Sequence, residues 1–172
     1  RTDNPIMTYC LGVLLKGGLV MAADSRTNAG VDYISGFRKL TVFEEPGERV
    51  IALATAGNLA TSQAVTSIVS ERLGARKGED SIYTSKTMFN VAQIVGRALR
   101  QVIDEHGEHV RESGGDPTAT FILGGQIKDR APRLFLIYAA GNFIEASAET
   151  PFLQIGENKY GKPILDRTIS YD

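Results

Sequence analysis

A hydroxyl, a carboxylate and an ammonium group stand near the start of the chain, at Thr8, Asp24 and Lys39. Brought together, they are the parts of an activated nucleophile. A threonine inside a chain is a β-former that carries a hydroxyl. At an N-terminus it also has a free α-amine beside that hydroxyl, and the pair can act as nucleophile and base. Asp24 follows the apolar run "LVMAA", with Arg26 close behind, where a strand gives way to a loop and charges can converge. Lys39 leads directly into "LTVF". From there an ammonium can enter a partly buried site, where desolvation and neighbouring cations favour the neutral amine. Spacing alone leaves a second reading open, in which these charges are surface ion pairs.

Other reactive side chains have simpler explanations. Cys10 is the only cysteine and sits just inside the strand that Thr8 heads, so it reads as a small buried core residue. A single cysteine excludes an internal disulfide and fits a reducing cytosol, which makes a cytoplasmic protein the expectation. His106 and His109, in "EHGEH", have a spacing that could bind metal, but there is no further histidine to complete a zinc site. They read as a solvated turn after a helix end. "GGDPTAT" lacks the Gly-Lys-Ser/Thr of a phosphate loop and precedes a strand, so it reads as a turn. No cofactor and no metal is expected.

The elements that must position these residues follow from hydrophobic pattern. The 172 residues are enough for one domain with a real core. Apolar residues make up 42% and charged residues 23%, as in ordinary globular proteins. A formal net charge of −1 offers nothing to nucleic acid or to an anionic membrane, and no apolar run is long enough for a membrane span. Residues 1–7 read as an added remnant or short leader ending in an initiator methionine, and 8–172 as a single domain. The pattern stops at "LDRTISYD" without a cap, as in a chain cut short at its C-terminus.

"TYCLGVLL" and "LVMAAD", joined by "KGG", predict a hairpin, and "KLTVF" and "RVIALATA" predict a second pair of strands around "EEPGE". Apolar residues at Val65, Ile68, Val69 and Leu73 predict a helix within 58–73. The stripe Met88, Val91, Ala92, Val95, Ala98, Leu99, Val102 and Ile103 predicts a stronger one. Strands return at "ATFILGGQI", "RLFLIYAA", "NFIEASA" and "PFLQIG", and a third helix is predicted from about Lys159. Strands in runs, with helices grouped between them, argue for an α+β fold of two stacked antiparallel sheets with helices outside.

"MTYCLGVLLKGGLVMAADSRTNAGVDYISGFRKLTVF" resembles the N-terminal third of proteasome β-type subunits, and within them the bacterial Anbu (ancestral β subunit) family. The likeness rests on Thr after Met, Asp-x-Arg at the end of the second strand with Ala-Gly soon after, and "FRKL" opening the next strand. "ATAGNLATSQ", "FILGGQI" and "GENKYGKPILDR" extend it over nearly the whole chain from Met7 onward. The resemblance implies a four-layer αββα sandwich of the N-terminal nucleophile hydrolases. It implies a threonine-type endopeptidase in which Thr8 becomes the nucleophile once Met7 and everything before it are removed. Lys39 would assist proton transfer and Asp24 would anchor it. The Gly57 backbone N–H would serve the oxyanion hole, Asn28 would pair with a peptide backbone, and Arg26 would be structural.

Relatives carry a Gly-Ser-Gly element whose serine supports the N-terminal amine. Here "IGENKYG" places Glu157 at that position, where a carboxylate can hold a cation but can also disturb the amine. Relatives also continue past the point matching Asp172 and contribute further site residues there. The expected partners are copies of the chain in a ring or helical ring-like assembly, and unfolded polypeptide or peptide as substrate. The sequence does not identify an ATPase partner. A non-catalytic structural ring subunit is the alternative, with Thr8 left unprocessed.

Overall fold

The computed structural model of the chain describes residues 8–25, 38–71, 80–157 and 161–172. Along the chain run β1 (Tyr9–Leu15), β2 (Gly18–Ala23), β3 (Leu40–Glu45), β4 (Arg49–Gly57), α1 (Leu59–Glu71) and α2 (Met88–Glu112). They are followed by β5 (Ala119–Ile127), β6 (Arg133–Ile137), β7 (Phe143–Glu145), β8 (Phe152–Gly156) and α3 (Gly161–Thr168). The strands form two antiparallel sheets, ordered β2-β1-β8 and β3-β4-β5-β6-β7. The predicted order of four strands, two helices, four strands and a helix is the observed one.

β7 ends at Glu145, short of the expected "NFIEASA", and two further boundaries also differ from expectation. β6 stops at Ile137 because the chain reverses over Tyr138–Asn142. There the Tyr138 N–H donates to the Asn142 carbonyl (2.9 Å) and the Gly141 N–H to the Tyr138 carbonyl (2.8 Å). The histidine pair does not follow a helix end: α2 runs through "EHGEH" to Glu112, with His106 and His109 exposed on it. Gly107 is buried inside this helix, beside Ile103 and the Pro117 ring. A Cβ would meet the Pro117 ring at 3.6 Å and Ile103 at 3.3 Å. Thr87 caps the other end, its hydroxyl accepting from the Asn90 N–H at 3.1 Å. Asn58 does the same for α1, its Oδ1 accepting from the Thr61 N–H at 3.0 Å.

Alternation along the strands separates two apolar layers. Ile51, Leu53, Phe121, Leu123, Phe135 and Ile137 face α1 and α2, where Val65, Val91, Val95 and Leu99 complete a large buried cluster. The opposite residues, Ala54, Ile122 and Leu134, face Cys10 and Ile155 of the smaller sheet. Small residues let the two sheets close on each other. A Cβ on Gly12 would come within 2.7 Å of Leu134, and one on Gly124 within 2.6 Å of the Met21 sulfur. α3 lies on the far side of the three-stranded sheet. Gly161 rests against Tyr9, the Lys162 ammonium stands 6.0 Å over the Phe152 ring, and after the helix the Tyr171 carbonyl accepts from the Lys16 N–H. The layers are therefore helix, sheet, sheet, helix. Among the described residues no helix is long and apolar enough to cross a membrane.

Candidate active site

Register brings one end of the small sheet together. Cys10 pairs with Ala23 and Tyr9 with Gly156, so Thr8, Asp24 and Glu157 emerge side by side from β1, β2 and β8. Thr8 is seated through its backbone. Its carbonyl accepts from the Glu157 N–H at 2.7 Å, and Gly156 packs so closely on that carbonyl that a Cβ would overlap it. Gly156 also has φ +88°, in the left-handed region that disfavours a side chain. Glu157 thus reaches Thr8 through a main-chain bond that its side-chain identity does not determine.

Lys39 enters from the other sheet, just before β3. Its Nζ donates to both oxygens of Asp24 at 2.8 Å, with the lysine side chain 5% exposed and the aspartate 30%. Asp24 is held in turn by β1. Its Oδ1 accepts from the Tyr9 N–H at 3.1 Å, and its own N–H donates to the Tyr9 carbonyl at 3.0 Å. One carboxylate therefore ties the residue after Thr8 to a cation delivered from the facing sheet. Such a charge-assisted, two-pronged bond positions an ammonium far more tightly than a solvated surface pair does.

The floor is polar and buried. The Thr55 N–H donates to the Lys39 carbonyl at 2.9 Å, and the Thr55 carbonyl accepts the Cys10 thiol at 3.5 Å, a second link across the sheets. The Thr55 hydroxyl lies 2.7 Å from that of Ser62 in α1, and Ser62 donates to the Asn58 carbonyl at 2.8 Å. Gly57 closes β4 at φ +109°, in a bend where a Cβ would strike the Thr118 carbonyl at 2.5 Å. Burial is the main reason the Cys10 thiol is pushed up to about 11. Asp24 adds to the shift, and Lys39 and the bond to Thr55 partly offset it. A thiol in that state is a packed side chain and not a nucleophile at neutral pH.

Thr8, Asp24, Lys39 and Glu157 are thus gathered at one place, with Gly57 at the end of the strand that lines it. Arg26 and Asn28 lie outside the described residues. Sequence reasoning did not single out Tyr9, Thr55, Ser62 or Asn58. Their part depends on pairing across sheets, which no local pattern announces. His106 pairs with Glu105 and His109 with Glu112 of the same helix, and among the described residues no cluster of His, Cys, Asp or Glu could hold a metal ion.

No model of a protein family matches the chain, and no curated protein does. Solved structures do. Anbu (ancestral beta-subunit) from Yersinia bercovieri is 48% identical over 96% of this chain and 68% of its own, with a TM-score of 0.86. Anbu from Hyphomicrobium sp. strain MC1 is 48% identical over 96% of this chain and 67% of its own, with a TM-score of 0.83. The helical assembly of the Anbu complex from Pseudomonas aeruginosa matches at 45% identity over 96% and 67%, with a TM-score of 0.87. With that identity over nearly its full length, and with its two stacked antiparallel sheets between helices, the chain belongs to the Anbu family and has the αββα fold of proteasome-like N-terminal nucleophile hydrolases.

Proposed function

We propose that this chain is a proteasome-type threonine peptidase subunit whose nucleophile is Thr8 after cleavage of the Met7–Thr8 bond. The observation that carries the reading is the Lys39–Asp24 pair, buried on the lysine side and bonded to the backbone directly after Thr8. A scaffold has no need of a nearly buried ammonium brought from the facing sheet to the head of its first strand.

In the proposed reaction the freed α-amine accepts the proton of the Thr8 hydroxyl as Oγ bonds to a substrate carbonyl carbon. The Lys39 ammonium favours the oxyanionic form of Oγ, and Asp24 holds it in place. The carbonyl oxygen takes up the negative charge, and the Gly57 N–H is the proposed donor to it. The C–N bond then breaks, the departing nitrogen takes the proton from the α-amine, and an ester to Thr8 remains. Water, deprotonated by the same amine, attacks that ester and releases the acid and Thr8. Peptide or unfolded polypeptide is the proposed substrate, Asn28 the proposed contact to its backbone, and Arg26 and Glu157 the supporting charges. The helical assembly reported for the Pseudomonas aeruginosa relative favours a homo-oligomer here too, and the single cysteine favours the cytoplasm as its location.

Intact mass and N-terminal sequencing of the native protein test the processing step: a chain that still begins at Met7 sinks the threonine-hydrolase reading and leaves a structural subunit. Labelling by a threonine-directed electrophile tests the nucleophile, since wild type should react and Thr8→Ala should not.

A further inference from the structure

The side chain of Tyr9 points away from the inter-sheet layer, onto the outer face that α3 covers. Its hydroxyl donates to Gln154 Oε1 of β8 at 2.9 Å. Gly161, the first residue of α3, lies flat against its ring. A Cβ there would overlap the phenol oxygen and stand 2.6 Å from Cζ and 2.9 Å from Cε2. Gly161 is not among the glycines with positive φ, so the tyrosine ring and not the backbone excludes a side chain at this position. The main chain of the same tyrosine makes two reciprocal bonds with Asp24, whose carboxylate holds Lys39. α3 buries none of its side chains fully, so its seat depends on few contacts, and this close fit is one of them.

We infer that Tyr9 is a positioning residue that couples the docking of α3 to the alignment of the Asp24–Lys39 pair. Its ring is wedged between Gln154 and Gly161, which fixes the rotation of the β1 backbone at the residue after Thr8. That rotation aims the Tyr9 N–H at Asp24 Oδ1 and so sets where the Lys39 ammonium is held. A displaced α3 releases the ring, and the carboxylate loses its main-chain partner. A covalent change at Gly161 alone should therefore reach Lys39 on the opposite sheet. The inference rests on the proposed threonine chemistry for its effect on rate, but not for its effect on structure.

A double-mutant cycle on the full processed protein tests it, with Gly161→Ala, Tyr9→Ala and the combination, and with Tyr9→Phe as the conservative variant. The rate of Thr8 labelling and the kcat–KM split report on alignment, and hydrogen exchange of the Tyr9 amide reports on the bond to Asp24. Gly161→Ala is expected to slow labelling and kcat by about tenfold with KM within twofold, and to speed Tyr9 amide exchange by about tenfold. In the Tyr9→Ala background the same glycine change should alter labelling by less than twofold, because no ring is left to displace. Tyr9→Phe, which loses the bond to Gln154 but keeps the ring against Gly161, should retain most of the rate. An unchanged Tyr9 amide in Gly161→Ala, or an equal effect of that change in both backgrounds, overturns the inference. If processed wild type is not labelled at all, the threonine chemistry has failed, and the amide exchange still decides the coupling by itself.

Discussion

Between the five-stranded sheet and helices α1 and α2 the interior is made of large side chains, Phe121, Phe135, Leu99, Ile94 and Met88 among them. Between the two sheets it is made of Cys10, Ala54, Ile122, Leu134, Ala146 and Ile155, with glycines at closest approach. The first layer removes much apolar surface from water and supplies the larger share of stability. The second layer is thin, and thinness is its use. Sheets that face each other through Gly12 and Gly124 stand close enough for the Cys10 thiol to reach Thr55 and for Lys39 to reach Asp24. The candidate site sits on the seam, with Thr8 and Asp24 from one sheet and Lys39 and Gly57 from the other. Stability and reactivity should therefore respond to different substitutions.

The strongest way to break this contrast is in the helix-side layer. Phe121→Ala should cost about 3–5 kcal/mol in chemical denaturation, while the Thr8 labelling rate per folded molecule stays within a few fold of wild type. A loss of reactivity larger than the loss of stability would show that the two layers are not separable.

Lys39→Ala comes next and should do the reverse. Removing the cation is expected to slow labelling by on the order of 10²-fold, the usual scale for a group that stabilises developing negative charge. Its cost in stability should be smaller, because Asp24 keeps partial contact with water. Full activity in this variant would remove the lysine from the mechanism.

A milder probe acts on the seam itself. Gly12→Val must push Leu134 and Ile122 aside and should destabilise by about 1–3 kcal/mol. Unlike Phe121→Ala, it should also slow labelling per folded molecule, since separating the sheets draws Lys39 from Asp24. Equal labelling in the two variants would argue that sheet spacing does not govern the site.

The smallest effect concerns Cys10. With its thiol pushed up to about 11, only on the order of one molecule in 10³ carries a thiolate at pH 8, and the side chain is buried. Alkylation of native protein should be slow and should become fast on unfolding. Rapid labelling of the folded chain would show that the seam opens readily.

Much of this organisation is legible in the residues. "ATFILGGQI" is β5 residue for residue, because an unbroken β-rich run between turn signals leaves few other readings. The stripe from Met88 to Ile103 lies in α2 for the same kind of reason, a period of 3.6 with a threonine cap. Where the pattern misled, it was at element ends, as at the Tyr138–Asn142 turn that stops β6. "EHGEH" reads as a solvated turn after a helix end, but the helix continues through it to Glu112.

The residue types at Thr8, Asp24 and Lys39, and their places at strand ends, follow from sequence by itself, since alternation and turn residues are local properties of the chain. Tertiary structure alone decided that Asp24 grips Lys39 with both oxygens, that Tyr9 supplies the bond behind it, and that Gly161 must be bare. Those contacts join strands of different sheets and a helix on the far face. Their distances depend on how closely whole layers pack, a quantity that no single stretch of sequence carries.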